Sequence, residues 1–505
     1  MPVNQLKAGV VLNYVVLGLN AIVGIAYTPY MLRMLGQGEY GLYSLAASVI
    51  AYLSILDLGF GNAVIRYTAK LRIEGKKEEQ YSMFGTFTVL YGVIGIIAFG
   101  AGLILYFNIE NIFGNTLSVS ELEKSRTIIL LMVLNLAITF PLSIYGAIIT
   151  AYEDFIFLRV VQIVRIVFTT IVMVCLLSVG FKAIAMVVAQ TILNITALLI
   201  NVFYCKYRIH IKVVFGRMDK SLLKEIVIYS FWIFLNAIMD KIYWSTGQFV
   251  LGATVGTVAV AVFAVAIQLE QMYMMFSNAI SGVFLPRVTA MVTQNDNRKE
   301  ISDLFIRTGR IQYIILAFIL SGFVIFGRYF IHFWAGEAYD DAYYITLLFF
   351  VPLTIPLIQN LGVIILQARN QMKFRSLLYI VIALFSLTLQ VPLAKYFGGI
   401  GCACAIAGAL TLGQIIIMNI YYQHKQGINI KSFWMEIIKM SIVPIALCIL
   451  GMIVINNISI DTLPKFILGV IIFSIVYIPL FGKFSMNQNE RDLLLVSIKK
   501  IIHKT

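Results

Sequence analysis

Apolar stretches long enough to cross a lipid bilayer recur along nearly the whole chain, and this recurrence constrains the fold more than any other feature. A bilayer core requires about 20 helical residues. In lipid every backbone polar group must be satisfied internally, so uninterrupted apolar runs of this length predict membrane-spanning helices. Fourteen runs cover about residues 9–32, 41–63, 82–107, 127–150, 160–180, 183–205, 225–248, 255–284, 311–331, 342–366, 376–397, 400–422, 436–456 and 464–482.

The low content of charged residues also indicates that much of the chain's surface faces lipid rather than water. The 505 residues are 60% hydrophobic and only 12% charged, against about 25% charged in an average soluble domain. The net charge of +14 is therefore not taken as a sign of nucleic-acid binding, and no nucleic-acid partner is predicted. In a membrane protein, excess Lys and Arg is typical of cytoplasmic loops.

The distribution of basic residues fits alternating loops. With the N-terminus inside, 28 of the 38 Lys and Arg residues fall in inside segments and seven in outside segments. Such a bias indicates orientation, so we predict that both termini are cytoplasmic. The first apolar run is too long for a signal-peptide core, and no cleavable signal is expected.

The chain contains an internal repeat. Residues 19–36 read LNAIVGIAYTPYMLRMLG and residues 235–252 read LNAIMDKIYWSTGQFVLG, with seven of eighteen positions identical. Pro141 and Pro356 keep nearly the same offset. The repeat unit contains six spans, an even number, so both copies enter the membrane from the same side and are related by an axis along the membrane normal.

The predicted fold is thus an all-α polytopic membrane protein of about 14 transmembrane helices, with two six-helix lobes related by a pseudo-twofold axis and two appended C-terminal helices. In transporters of this construction the substrate site tends to lie at the repeat interface near mid-membrane. The predicted domains are an N-terminal lobe at 1–212, a C-terminal lobe at 213–431, two appended helices at 432–482 and a basic cytoplasmic tail at 483–505.

Ionisable residues within the spans are the candidates for function. A charge near the bilayer centre costs about 2.5–3.5 kcal/mol on insertion scales and normally faces a wet cavity or a partner. Asp57, Arg165, Asp240, Lys241 and Glu270 are such residues. The alternative interpretation is that they, and the Asn and Ser residues near them, only hold helices together.

Polar stripes accompany these charges. Asn236, Asp240 and Tyr243 share one face of the seventh span, and Asn20 is the repeat partner of Asn236. In the eighth span Glu270 lies on a stripe with Ser277 and Ser281.

Two motifs resemble those of a known family. Leu35-Gly-Gln-Gly-Glu-Tyr-Gly-Leu-Tyr43 resembles the L-G-x-x-x-Y-G-x-Y/F signature of polysaccharide flippases, and Leu56-Asp-Leu-Gly-Phe-Gly-Asn-Ala-Val-Ile-Arg66 resembles their D-L-G-x-G-x-x-x-x-R segment. These are the O-antigen and capsule repeat-unit flippases of the multidrug/oligosaccharidyl-lipid/polysaccharide (MOP) exporter superfamily. Related lipid II flippases place an arginine in the first helix, whereas here no charge lies between Lys7 and Arg33.

The resemblance implies a transporter rather than an enzyme, located in the bacterial cytoplasmic membrane. It implies that an oligosaccharide repeat unit on undecaprenyl diphosphate is turned from the inner to the outer leaflet by alternating access. The implied partners are the bilayer, this lipid-linked glycan and other polysaccharide-assembly membrane proteins. No cofactor is expected, and a coupling proton or sodium ion is left open. The predicted substrate contacts are Lys241, Arg165, Asn20, Asn236, Tyr243, Arg66 and Arg287, and the predicted ion-coupling residues are Asp240, Glu270 and Asp57.

Two other functions remain open. An ion-coupled drug or cation exporter of the same superfamily would have an acidic cavity without basic residues. An integral-membrane polysaccharide polymerase would need a large outside loop, and the longest outside connection is only about residues 108–126.

Overall fold

The computed structural model describes residues 5–215, 220–281, 284, 288, 290–292, 297–369, 371–458 and 460–492. Within these residues the chain is helical and has no β-strand, which confirms the all-α class. The described part of each of the fourteen apolar runs lies mainly on one helix or on two consecutive helices. The helices are α1 Gln5–Leu53, α2 Phe60–Ile73, α3 Lys77–Phe113, α4 Val119–Ala151, α5 Phe155–Ser178, α6 Ala183–Tyr204, α7 Lys220–Thr254, α8 Thr257–Ser281, α9 Arg298–Trp334, α10 Ala342–Ile358, α11 Asn360–Ala368, α12 Lys373–Leu410, α13 Met418–Tyr421, α14 Ile430–Asn457 and α15 Leu463–Phe484.

The described helices fit a multi-pass membrane protein. Ten are long and apolar enough to cross a bilayer, or eleven if the bent pair α10 and α11 is one span. Two of these ten stretches, Val11–Ile73 and Lys373–Gln426, each run through a pair of predicted spans. The number of fourteen spans stays a prediction.

A glycine with non-helical backbone angles lies where the first and second predicted spans meet within α1. Gly36, the glycine of the first motif, has φ 75° and ψ 169°. Only glycine adopts this region without strain, so the chain can turn there between the first span and the second. Gly398 interrupts α12 in the same way, with φ 57° and ψ −138°, at the predicted boundary between the eleventh and twelfth spans.

The two repeats end their sixth helices alike. In the first repeat a π-helical turn, Cys205–Ile209, is followed by His210 at φ 56°. In the second, a π-helical turn at Tyr422–Gln426 is followed by Gly427 at φ 69°. The same rare local structure at matching positions supports the internal duplication seen in the sequence.

The chain divides into two compact units. One comprises Met1–Ala264 with Gln390–Cys402, and the other Val265–Leu389 with Ala403–Thr505. The first unit therefore includes α7 in addition to α1–α6, and the predicted boundary at residue 212 stays a prediction.

Within the first unit, α1 packs very closely against the turn between α7 and α8. A Cβ atom added to Gly41 would lie 2.0 Å from the backbone oxygen of Thr257. The Thr257 hydroxyl donates to Oε1 of Glu121 at 2.8 Å, and the Thr116 hydroxyl donates to the backbone oxygen of Gly252 at 2.7 Å. The glycine of the Tyr-Gly motif is thus a point of backbone contact.

In the second unit, a buried arginine joins α9 to the C-terminal helices. Arg310 is 6% exposed, and its Nε and Nη2 donate to the two carboxylate oxygens of Glu490 at 2.7 and 2.8 Å. Its Nη1 donates to Glu436 on α14. This arrangement fixes α14 and the segment after α15 to α9, which explains how the two helices without repeat partners are held.

A candidate anion-binding chamber in the first six helices

A cavity of about 530 Å³ lies among α1, α4, α5 and α6. We call it the chamber. Its polar lining includes Tyr27, Tyr43, Asn135, Arg165, Gln190 and Asn194, together with several threonines. Among the described lining residues, only Arg165 is charged, and none is acidic. The chamber therefore combines one positive charge with amide and hydroxyl groups.

Arg165 is fixed in the chamber by a network that joins three helices. Its Nη1 donates to Oδ1 of Asn194 at 3.1 Å. The Asn194 amide nitrogen donates to Asn135 Oδ1 and to Thr139 Oγ1, both at 2.9 Å. No carboxylate within the described residues forms a salt bridge with Arg165. The guanidinium is thus oriented by neutral groups and keeps its charge available for an anion.

Tyrosines and amides complete the chamber wall. The Tyr43 hydroxyl donates to Oε1 of Gln190 at 3.0 Å. The buried hydroxyls of Tyr27 and Thr191 have no hydrogen-bond partner within the described residues. Buried polar groups normally find partners, so these hydroxyls are suited to contact the hydroxyl groups of a bound molecule.

The structure places the other predicted substrate contacts differently. Asn20 is exposed on α1 and does not line the chamber, and Tyr243 is buried. Arg66 is exposed in the middle of α2, with its guanidinium 5.7 Å from the Tyr67 ring centroid. Lys241 is half-buried on α7 and lines neither the chamber nor the smaller cavities at α4–α6 and α8–α15. Their roles as substrate contacts stay predictions.

Three predicted residues cannot be placed. Arg287 lies outside the described residues, and for Asn236 and Asp240 only the backbone on α7 is described.

The remaining acidic candidates have contrasting environments. Asp57 lies where the second span bends before α2, and its Oδ1 accepts from the buried Tyr91 hydroxyl at 2.9 Å. Glu270 on α8 is 0% exposed, and neither of its carboxylate oxygens has a hydrogen-bond partner within the described residues. Asp57 is therefore held by a neighbour, whereas Glu270 is buried without one.

The stripe predicted on α8 is partly structural. Ser277 and Ser281 lie with their hydroxyls 3.1 and 2.6 Å from the side-chain amide of the buried Gln312. These serines join α8 to α9, as the helix-packing alternative predicts.

The amides that line the two cavities are neutral, so the cost of burying a charge does not point to them. Gln190, Asn194 and Asn201 recur on the sixth span at helical spacing, and Asn135 and Thr139 are four residues apart on the fourth. This polar stripe was a usable signal.

The second repeat differs from the first at Asn201, which lines the smaller cavity at α4–α6 and not the chamber. Asn419 matches Asn201, but its Oδ1 accepts from Gln359 Nε2 at 2.9 Å and from Trp434 Nε1 at 3.0 Å. Asn201 Oδ1 is buried with no partner within the described residues. The side-chain oxygen of this asparagine is thus hydrogen-bonded in the second repeat and has no partner within the described residues in the first.

The fold is that of a multi-pass membrane protein, and a comparison with known families identifies its family. The family model described as polysaccharide biosynthesis protein matches residues 6–292. The chain belongs to this polysaccharide biosynthesis protein family. A comparison with curated proteins finds no match.

Solved structures share the fold at low sequence identity. The lipid II flippase MurJ in an inward closed conformation has a TM-score of 0.71 at 16% identity, covering 96% of this chain and 99% of that one. An inward-facing multidrug resistance MATE family transporter of the MOP superfamily has a TM-score of 0.60 at 15% identity, covering 78% and 92%. A MOP superfamily transporter from Pyrococcus furiosus, described as having a binding pocket of reverse polarity, has a TM-score of 0.54 at 13% identity, covering 85% and 94%.

Proposed function

We propose that the protein flips an undecaprenyl-diphosphate-linked oligosaccharide repeat unit from the inner to the outer leaflet of the bacterial cytoplasmic membrane. It does so by alternating access of its two lobes, with both termini in the cytoplasm, and it catalyses no chemical reaction. The observation that carries this proposal is the chamber, in which Arg165 is the one charged residue among described neighbours that bear amides and hydroxyls.

The chamber suits the chemistry of such a head group. Arginine presents a planar fork of donors that matches phosphate oxygens. Sugar hydroxyls both donate and accept, as do the amides of Asn135 and Asn194 and the hydroxyl of Tyr27. A polar wall with one cation can therefore contact both the diphosphate and the first sugars, while the lipid tail stays in the bilayer.

The charge of the chamber also separates this proposal from the drug or cation exporter. That alternative has support from the fold shared with a multidrug resistance transporter. A cationic substrate calls for acidic groups in the binding cavity, and the described chamber lining has none. We therefore favour an anionic, glycan-bearing substrate.

Glu270 is our preferred coupling residue. A buried carboxylate without a hydrogen-bond partner is costly in the interior, and such residues within membrane spans are typical of proton and ion pathways. We propose that Glu270 exchanges a proton or a sodium ion during the transport cycle. Asp57 already accepts a hydrogen bond from Tyr91 and is a weaker candidate.

Gene deletion with complementation tests the proposal. Deletion should strand undecaprenyl-linked oligosaccharide on the cytoplasmic leaflet and remove surface glycan. The wild-type gene and a variant at the exposed Arg307, Arg307→Gln, should restore surface glycan, whereas Arg165→Gln should not.

Two results would contradict it. Full restoration by Arg165→Gln at normal protein level would remove the chamber from the mechanism. Normal surface glycan in the deletion strain, together with increased sensitivity to cationic drugs, would favour the exporter.

A further inference from the structure

A second, smaller cavity adjoins the chamber. It has a volume of about 330 Å³ and lies among α4, α5 and α6. Arg165 lines both cavities, and Arg159, Gln162, Thr150 and Asn201 line only the smaller one. The two cavities therefore share one guanidinium, and the smaller cavity adds a second.

The cavities follow one another along all three helices. On α4 the chamber is lined by Thr139 and the smaller cavity by Gly146 and Thr150; on α6 the corresponding residues are Asn194 and Asn201. The smaller cavity thus lies toward the ends of α4 and α6 and the start of α5. These are the helix ends that the distribution of basic residues predicts to be cytoplasmic.

The smaller cavity contains guanidinium and amide groups, whose N–H donors are suited to phosphate oxygens. Arg159 Nη1 donates to Oε1 of Gln162 at 2.8 Å, and no carboxylate within the described residues forms a salt bridge with Arg159. Arginine has five N–H donors in a fixed fork, so the bond to Gln162 orients Arg159 and leaves donors for a ligand. The side chain of Asn201 has a buried oxygen with no partner in the part of the chain that the structure describes.

The spacing of Arg159 and Arg165 along α5 would allow an anion to pass from one arginine to the other. Six residues at 1.5 Å per residue give about 9 Å along the helix axis. Each side chain is long enough to meet an anion that lies between them. An anion can therefore contact Arg159 first and then Arg165 without losing all cationic contact.

We infer that the smaller cavity is a second anion subsite, in which Arg159, positioned by Gln162, binds a phosphate group on its way to Arg165 in the chamber. The ligand is a phosphate or diphosphate group, carried by a lipid or free in the cytoplasm. The inference rests on the proposed function, because that function supplies the diphosphate-bearing substrate.

Binding to the full chain in nanodiscs tests the inference, with geranylgeranyl diphosphate and inorganic pyrophosphate as probes. Arg159→Gln removes the cation. Gly146→Leu fills the smaller cavity, since a Cβ at Gly146 would have only the Asn201 amide nitrogen nearby, at 3.8 Å. Both variants should weaken binding of the lipid probe at least five-fold, and the control Arg307→Gln should not. Arg159→Lys, which keeps the charge, should recover part of the affinity.

A substitution that fills the chamber distinguishes binding in the chamber from binding in the smaller cavity. Ala47 lines the chamber and not the smaller cavity, so Ala47→Phe should bind the lipid probe more weakly than the wild type. The double variant Ala47→Phe with Arg159→Gln should lose the remaining binding. Equal losses for both probes in Arg159→Gln support recognition of phosphate itself, and a loss for the lipid probe alone supports recognition of a lipid head group.

The inference and the proposed function fail in different ways. The inference is overturned if Arg159→Gln and Gly146→Leu both bind the lipid probe as Arg307→Gln does, or if the wild-type protein binds neither probe. If Arg159 is required for binding and yet the deletion strain makes normal surface glycan, the subsite stands and the proposed function does not.

Discussion

Arg165 and Asn194 form a hydrogen bond of 3.1 Å inside the chamber, and Asn194 extends it to Asn135 and Thr139 at 2.9 Å each. Asn194 is thus a positioning residue, because it orients the guanidinium without adding charge. The chamber's positive charge depends on this neighbour remaining an amide.

Asn194→Asp tests that dependence. The new carboxylate would pair with Arg165 and cancel the charge offered to a ligand. It would lose the bonds that the Asn194 amide donates to Asn135 and Thr139, and the Thr139 hydroxyl could donate to it instead. We expect at least a ten-fold loss of affinity for geranylgeranyl diphosphate, with little change in thermal unfolding. Asn457→Asp, at an exposed site on α14, is the matched control, and wild-type affinity in Asn194→Asp would contradict the assigned role.

Gly41→Ala tests the close contact between α1 and the α7–α8 turn. The added methyl group would lie 2.0 Å from the Thr257 backbone oxygen, so two backbone segments must separate. Overpacking of this kind costs about 1–3 kcal/mol, and thermal unfolding in detergent should show it. Gly92→Ala, where nothing lies within 4 Å of the new Cβ, should be neutral or slightly stabilising; equal effects at the two sites would refute the contact.

Arg310→Met tests the arginine that holds the C-terminal helices. The change leaves the buried Glu490 without its partner, and breaking a buried ion pair costs on the order of 3–5 kcal/mol. We expect a lower unfolding temperature and faster proteolysis after α15. Replacing both partners, Arg310→Met with Glu490→Leu, should recover part of the loss. Lys439→Met removes only an exposed salt bridge to Glu436 and should change little.

Glu270→Gln tests ion coupling apart from folding. The amide has nearly the same shape and needs no charge buried, so thermal stability should be kept or raised. Flipping in proteoliposomes should no longer respond to an imposed proton or sodium gradient. Glu337→Gln, at an exposed position, is the control, and a gradient response in Glu270→Gln equal to wild type would remove Glu270 from coupling.

The sequence was sufficient for the features that depend on local pattern. Apolar runs predict helices because lipid requires them. Arg165, predicted from its charge inside a span, lines the chamber, and its role as a substrate contact stays a prediction. The motif glycines Gly36 and Gly41 were recognised by their letters. Their physical reasons, a backbone angle at one and a contact with Thr257 at the other, appear only in the folded chain.

Features that join distant residues could not be predicted. Arg310 and Glu490 are 180 residues apart, and no periodicity connects them. The cavity at Arg159 could not be predicted either, because it depends on where α4 and α6 pass α5. The role of Asn194 depends on its contact with Arg165, 29 residues away, and a neutral amide costs less in a span than a charge, so the sequence gives a weaker signal there.

The different fates of Asn201 and Asn419 have an evolutionary consequence. In the second copy, Gln359 and Trp434 donate hydrogen bonds to the side-chain oxygen of Asn419, so a substitution of Asn419 would break these bonds. In the first copy the equivalent oxygen of Asn201 has no hydrogen-bond partner among the described residues. Under the proposed function, selection for a different glycan can act on the cavity residues of α4, α5 and α6 without disturbing the packing of the second copy. The residues that line the cavities in the first copy should therefore diverge faster among related proteins than their counterparts in the second.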